Sequence, residues 1–342
     1  QHYDCRNNRL AQLGLQADGF ADAVRQAMQR YGADRVAVVL GTSTAGIYST
    51  ELAYRMRDAE TGALPSDFHY AETHNTFSVG AFVKDWFGLQ GPAEVVSTAC
   101  SSSAKVFASA ARLLQAGLVD AVVVGGVDTL CLTTLYGFRS LGLTSGQACR
   151  PYDGARDGLS IGEAAAFALV ERLPHDAQAL PAGSVLLTGY GETSDAHHMS
   201  APHPEGAGAQ AAMQAALQMA GLQPQHIGYI NLHGTATPSN DLAEGKAVRA
   251  VFGTDTPCSS TKGFTGHTLG AAGGVEAVIC ALALTQGFAP GSAGTQTLDS
   301  AIAPLRYLLQ PEDLPLQHAL SNSFGFGGSN CSLVFSRAGG AA

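Results

Sequence analysis

Cys100 is the residue with the clearest chemical potential, in the run Ser97-Thr98-Ala99-Cys100-Ser101-Ser102-Ser103. A β-rich segment, Ala93-Glu94-Val95-Val96, precedes it, and a small-residue helical run through Lys105 to Ala110 follows. A cysteine at a strand-to-helix junction meets the unpaired N–H groups and positive dipole end of the helix, which favour thiolate over thiol. Far downstream lie two histidine motifs, His233-Gly234-Thr235-Ala236-Thr237 and Gly266-His267-Thr268, with Lys262 shortly before the second. Glycine beside each histidine lets a backbone or a ligand approach closely. A thiolate with histidine partners suits nucleophilic transfer chemistry. The commoner role of a cysteine, a small buried hydrophobe, fits Cys131, Cys149, Cys258, Cys280 and Cys331.

These residues need a frame that brings distant segments together. Arg35 to Leu40 and Asp120 to Gly126 read as buried strands, rich in β-branched residues and ending in glycine. Helical periodicity predicts helices at Phe20 to Tyr31 and Asn75 to Trp86. Uninterrupted apolar strands alternating with helices indicate a largely parallel sheet covered on both faces. After the turn-rich Arg150 to Gly158 the order repeats: a strand at Val185 to Leu187, a helix from Gly208 to Met219, a strand at Ile227 to Leu232 and a helix from Asp241 to Phe252. The run Lys262 to Gly273 then opens a second small-residue helix, and Ala319 to Ser323 and Cys331 to Phe335 supply late strands. The pattern reads as an internal duplication, residues 1–183 and 184–342, with the chemistry at the junction of the halves.

Composition narrows the class. The 342 residues are 46% hydrophobic and only 14% charged, with 41 glycines, which is the balance of a compact α/β enzyme. A net charge of −9 argues against nucleic-acid binding. No apolar stretch reads as a bilayer span and no signal peptide is visible. Seven cysteines without metal-like spacing read as free thiols in a reducing cytoplasm, and no metal site is expected. Phe324-Gly325-Phe326-Gly327-Gly328 lies between two strands with no helix after it, so it is a poor phosphate loop.

Four motifs occur here in the order found in β-ketoacyl-[acyl-carrier-protein] synthases of the elongating type, synthases I and II: Thr98 to Ser102, His233 to Thr237 with Asn240-Asp241, Lys262 with Gly266-His267, and Asn322 to Asn330. The resemblance runs from about residue 35 to about residue 336. It implies a thiolase-like fold of the α/β class: duplicated halves in five layers, helix, sheet, helix, sheet and helix. It implies decarboxylative condensation of an acyl-cysteine with a malonyl-carrier thioester, in fatty acid or specialised synthesis of the aryl polyene or polyketide kind. Cys100 would be the nucleophile. His233 and His267, as neutral imidazoles in the Nε2–H tautomer, would stabilise the enolate, because fixed N–H donors lower the barrier without reorganising. Lys262 would act beside His267 with Glu276 as its ion partner. The Phe326 N–H would join that of Cys100 in an oxyanion hole while the Phe326 ring gates the acyl pocket. Thr235, Thr237, Ser200 and Phe324 would contact the substrate arm, whereas Asn240-Asp241 caps a helix. No cofactor is tightly bound by this reading: the 4′-phosphopantetheine belongs to the acyl carrier protein, and the chain pairs as a homodimer or with a related synthase-like subunit.

Two alternatives differ at named residues. A thiolase places a second cysteine near the late glycine-rich loop, where this chain has Gly327-Gly328-Ser329. A non-catalytic chain-length-factor-like subunit lacks the nucleophile. The opening, Gln1 to Cys5, lacks the family's initial strand and glycine-rich turn, so the chain is expected to begin inside a longer protein with the first strand of its first half missing. Residues 1 to 75 match the family less well.

Overall fold

A computed structural model describes residues 2–173, 180–181, 183–302 and 304–339. The opening, which offered no strand, is helical: α1 (Arg6–Gln16) and α2 (Phe20–Tyr31) bury Ala11, Leu15, Val24 and Ala27 against the first sheet. The helix predicted at Asn75 to Trp86 forms over Ser78–Phe87, and a separate single turn, Tyr70–Thr73, precedes it. The elements that follow are β1 (Val36–Gly41), α3 (Ile47–Arg55), α4 (Tyr70–Thr73), α5 (Ser78–Phe87), β2 (Ala93–Val96), α6 (Ser102–Gln115), β3 (Ala121–Asp128), α7 (Leu132–Ser140) and β4 (Ala164–Glu171). The later elements are β5 (Val185–Ser194), α8 (Ala207–Ala220), β6 (Tyr229–Asn231), α9 (Pro238–Phe252), β7 (Cys258–Ser259), α10 (Lys262–Thr265), α11 (Ala272–Gln286), β8 (Phe288–Ala289), β9 (Glu312–Asp313), β10 (His318–Gly325) and β11 (Ser329–Arg337).

The first sheet runs β2-β1-β3-β4 and the second β5-β11-β10-β6-β7. Their pairing senses correspond. In each, a central strand has two parallel neighbours, β1 between β2 and β3, β6 between β7 and β10, and the sheet then turns antiparallel at β4 or β11. The second sheet alone adds a further antiparallel strand, β5, beside β11. Among the described residues β4 has no strand on its other edge. β4 was not evident in the sequence because Ala164-Ala165-Ala166 carries no β-branched residue. It alternates nonetheless: Ala168 and Val170 face the central core, Ala165, Phe167 and Leu169 the outer one.

Helices α1, α2 and α5 cover the outer face of the first sheet, α6 and α11 fill the space between the sheets, and α8 and α9 cover the far side. This is the expected five-layered thiolase-like fold. Leu269 to Gln286 is long and apolar enough to pass as a membrane span, contrary to the sequence reading, yet it lies in the central layer between two sheets. A helix buried on both sides must be apolar all round, so it resembles a span by composition alone. α6 and α11 cross closely: a Cβ on Gly273 would lie 2.6 Å from the Ala104 nitrogen, and Gly274 N–H donates to Ser103 Oγ at 2.8 Å.

Candidate active site

Cys100 sits directly before α6, whose first helical residue is Ser102. Ala99 takes a left-handed φ of 52°, a costly conformation for a residue with a Cβ, and this turns the chain abruptly from β2 into the helix. The Ser102 side chain ties the turn by accepting from Thr98 N–H and donating to the Ala99 carbonyl. The thiol is buried. Burial pushes it up to about 11, while the Lys262 charge and a hydrogen bond from the Phe326 backbone pull it down. Desolvation is the largest of these influences, so the resting group is a thiol, which corrects the expectation of a resting thiolate.

His233 follows β6, as its motif indicated. His267 does not open a helix: it lies in a loop after the single turn of α10, with a 3₁₀ turn, Leu269–Ala271, between it and α11. The two rings meet edge to face with centroids 5.3 Å apart, and His267 Nε2 lies 3.0 Å from Cys100 Sγ. Burial holds both imidazoles well below their ordinary range, helped by the Lys262 charge, so both are neutral. Lys262 is buried, ion-paired with Glu276, and donates to the His233 carbonyl at 2.5 Å. Its Nζ also faces His233 Nδ1 at 3.5 Å. An ammonium has only donors to offer, so His233 Nδ1 accepts and the proton sits on Nε2. His267 Nδ1 meets no protein partner among the described residues, so nothing locks that tautomer.

The other expected residues gather at the same cavity, which Cys100, His233, His267, Ser200, Thr235, Thr237, Phe324 and Phe326 all line. The Thr235 and Thr237 hydroxyls bond each other at 2.9 Å, and the Phe324 ring packs edge-on to His233. The Phe326 ring lies against Phe138 of α7, centroids 5.4 Å apart.

Asn240-Asp241 is a correction. Helix α9 begins at Pro238 after Thr237, so the pair lies inside its first turn rather than capping it. Buried Asp241 accepts from the N–H groups of Tyr152 and Ala236 and faces Arg156. One turn on, Glu244 accepts from His233 N–H and Gly234 N–H, both at 2.8 Å, and burial pushes it up to about 7. Glu244 escaped the sequence reading although its i, i+3 spacing from Asp241 puts both on one helix face. The anchors of His267 are less visible still: its N–H donates to the Ser160 carbonyl at 2.7 Å and its own carbonyl accepts from Gly162 N–H at 3.0 Å. Gly266, φ 68°, has no room for a side chain against the same stretch.

Family models match most of this frame: the β-ketoacyl synthase N-terminal domain over residues 6–176 and the C-terminal domain over residues 185–296. The chain belongs to the β-ketoacyl synthase family. The family match begins at residue 6, so the opening helices, which carried no recognisable motif, are part of it. The chain is 36% identical over 326 residues to 3-oxoacyl-[acyl-carrier-protein] synthase 2 of Staphylococcus aureus, covering 89% of this chain and 77% of that protein. Among solved structures it resembles a chain of the ketosynthase ApeO in complex with its chain length factor ApeC from Xenorhabdus doucetiae, at 41% identity and TM-score 0.89, covering 98% of this chain and 82% of that one. A β-ketoacyl synthase from Burkholderia phymatum is 30% identical with TM-score 0.87, covering 98% and 83% of the two chains. Membership makes this synthase an acyltransferase-class enzyme.

The sulfur and imidazole ligand atoms of Cys100, His233 and His267 converge within 4.8 Å, the reach of a metal ion. Lys262 opposes that use, because it fixes on His233 the tautomer whose Nε2 carries a proton instead of a free lone pair.

Proposed function

We propose that this synthase joins an acyl group held on Cys100 to a malonyl unit on an acyl carrier protein, with loss of carbon dioxide. The observation that carries the reading is the convergence of one thiol and two neutral, buried imidazoles on a single cavity.

In the first half-reaction Cys100 sulfur attacks the carrier thioester carbonyl. The thiol proton moves to His267 Nε2, the nearest acceptor at 3.0 Å, and from there to the departing pantetheine sulfur. The N–H groups of Cys100 and Phe326 hold the carbonyl oxygen as it becomes negative. In the second, the malonyl carboxylate leaves as carbon dioxide and the electron pair of the broken carbon–carbon bond passes to the thioester oxygen. His233, held in the Nε2–H form by Lys262, donates to that oxygen. His267 joins it because its unlocked tautomer lets Nε2 carry a proton once the thiol is acylated. The enolate carbon then attacks the acyl-cysteine carbonyl, the bond from that carbon to Cys100 Sγ breaks, and the departing Cys100 thiolate takes up a proton from solvent to restore the thiol.

Thr235, Thr237, Ser200 and Phe324 would contact the pantetheine arm, which arrives with the carrier, and the Phe326 ring would gate the acyl side against Phe138; that all of them line the cavity of Cys100 supports this. In this reading residues 1–183 supply the nucleophile and residues 184–342 the histidines and lysine. The 41% identity with a chain of the ApeO–ApeC complex supports pairing with a chain-length-factor-like subunit in specialised synthesis; the seven free cysteines support a reducing cytoplasm as its place of action. The test is incubation of the protein, alone and with such a subunit, with malonyl-carrier and a panel of acyl-carriers, following acyl-enzyme by intact mass. A wild-type protein that loads Cys100 but never elongates would defeat the reading.

A further inference from the structure

We propose that Asp128 is a positioning residue for this condensation: its buried carboxylate clamps the loop carrying His267, from the second half, onto the half that bears Cys100. The inference rests on the roles given above to Cys100 and His267.

Asp128 ends β3 and is fully buried. Its Oδ1 accepts from Thr42 Oγ1 at 2.7 Å, Ser43 N–H at 2.8 Å, Thr44 N–H at 2.9 Å and Thr44 Oγ1 at 2.8 Å. Its Oδ2 accepts from Ser43 Oγ at 2.5 Å and from Gly270 N–H at 2.6 Å. Five of these bonds hold the turn after β1, within the first half. The sixth reaches into the second half, to the 3₁₀ turn between His267 and α11. Six neutral donors compensate the burial of this carboxylate, which has no ion-pair partner among the described residues, and charge-assisted bonds of this kind are the strong ones.

The geometry around His267 gives the sixth bond its consequence. On one side the His267 backbone is fixed by Ser160 and Gly162. On the other, Leu269 adopts a left-handed φ of 55°, which persists only where its surroundings over-determine it. The Gly270–Asp128 bond supplies that constraint. A Cβ on Gly270 would lie 2.8 Å from Asp128 Oδ2 and 2.8 Å from Ser43 N, so the turn is pressed against the first half with no slack. The imidazole that faces Cys100 sulfur at 3.0 Å is thus held from both sides by the half that carries the sulfur.

Two substitutions separate the clamp from the charge. Asp128→Asn removes the charge and turns an NH₂ group toward donors; Gly270→Ala pushes the turn off an intact carboxylate. Both are measured in the full chain for malonyl-carrier decarboxylation, acyl loading onto Cys100 and the pH dependence of Cys100 alkylation. Misplacement by about 1 Å can cost on the order of a hundredfold. The expected result in both variants is a decarboxylation kcat lowered about ten- to a hundredfold, KM for malonyl-carrier within about twofold, and a smaller loss in loading. Alkylation should shift to lower pH in Asp128→Asn alone. Asp128 and Glu276 are the negative charges that oppose the Cys100 thiolate, Lys262 the positive one that favours it, and Gly270→Ala leaves all three in place. A general loss of structure would lower both half-reactions together and would not move the alkylation midpoint in one variant only.

Should Asp128→Asn fail to fold, Gly270→Ala and Ser43→Ala carry the test, the second removing one donor and giving the same selective loss in smaller measure. Wild-type decarboxylation in a folded Gly270→Ala variant, or equal loss of both half-reactions, would overturn the clamp. A wild-type protein inactive in both half-reactions would instead overturn the functional reading beneath it.

Discussion

The junction of β2 with α6 and the junction of β7 with α11 occupy equivalent places in the two halves, yet they deliver different chemistry. In the first, a tight turn over Thr98 to Ser101 leads straight into the helix and leaves one small nucleophile at its mouth. In the second, residues 260–271 intervene as α10, a loop and a 3₁₀ turn, and from that longer excursion come Lys262 and His267. A short connection presents a side chain against the helix end. A long one carries charge and donors across the interface to meet it. The duplicated frame thus provides two facing sites, and connection length divides the labour between them. The sheets differ too: β5 covers β11, whereas the equivalent edge of β4 borders an apolar groove of about 790 Å³ lined by Phe107, Leu114, Ala168, Val170, Leu187 and Phe335.

Breaking the first junction should have the largest effect. Cys100→Ala is expected to abolish acyl loading and condensation, with radiolabelled acyl transfer as the measurement. Cys100→Gln should leave malonyl decarboxylation intact or raised, since in the proposed mechanism that step depends on His233 and on His267 of the other junction, not on the thiol. Elongation at the wild-type rate by Cys100→Ala would remove the distinction between the junctions altogether.

Breaking the second is expected to be severe but uneven. In the proposed mechanism His267→Ala removes a donor to the enolate oxygen, with an expected loss of about a hundred- to a thousandfold, roughly 2.7–4 kcal/mol, in carbon dioxide release. Loading should fall less, because the oxyanion is held by backbone N–H groups and solvent can take the thiol proton at high pH. Equal loss of both half-reactions would make His267 chiefly the base for Cys100.

The lysine in the second junction sharpens the comparison. Lys262→Met or Glu276→Gln alone leaves a buried, desolvated partner, costing roughly 3–5 kcal/mol in denaturant unfolding, and the double variant should cost less than the sum. Lys262→Met should also move Cys100 alkylation to higher pH than in the wild-type protein, since the lysine charge favours the thiolate. An unmoved alkylation profile would show that the two junctions are electrostatically independent.

The smallest expected effect is in stability against pH. Burial raises Glu244 to about 7 and Glu276 to about 6, so the folded state binds more protons than the unfolded one above the usual carboxylate range. Their contribution is complete below about pH 4.5 and lost as pH rises toward 7. Glu244→Gln should flatten part of that decline in a Tm-against-pH series. An identical slope would mean that Glu244 is ionised throughout, held by the N–H groups of His233 and Gly234.

The local sequence determined what local physics controls. Buried strands such as β1 and β3 were legible because β-branched residues run without a break, and α2 because its apolar residues fall on one face. Cys100, His233 and His267 stood out because glycine or small polar residues flank each, and their order along the chain pointed to the family. Other features depend on contacts between segments far apart in sequence, which no local pattern encodes. Nothing near Asp128 shows that its carboxylate reaches Gly270, and nothing near Glu244 shows that it holds the His233 backbone. The state of the thiol was decided the same way: a helix end on its own favours the thiolate, but only the packed structure sets how completely water is excluded, and that exclusion is the largest influence on Cys100. Membrane-like composition in Leu269 to Gln286 was resolved by tertiary structure alone, since a helix between two sheets and a helix in lipid satisfy the same demand to bury every face.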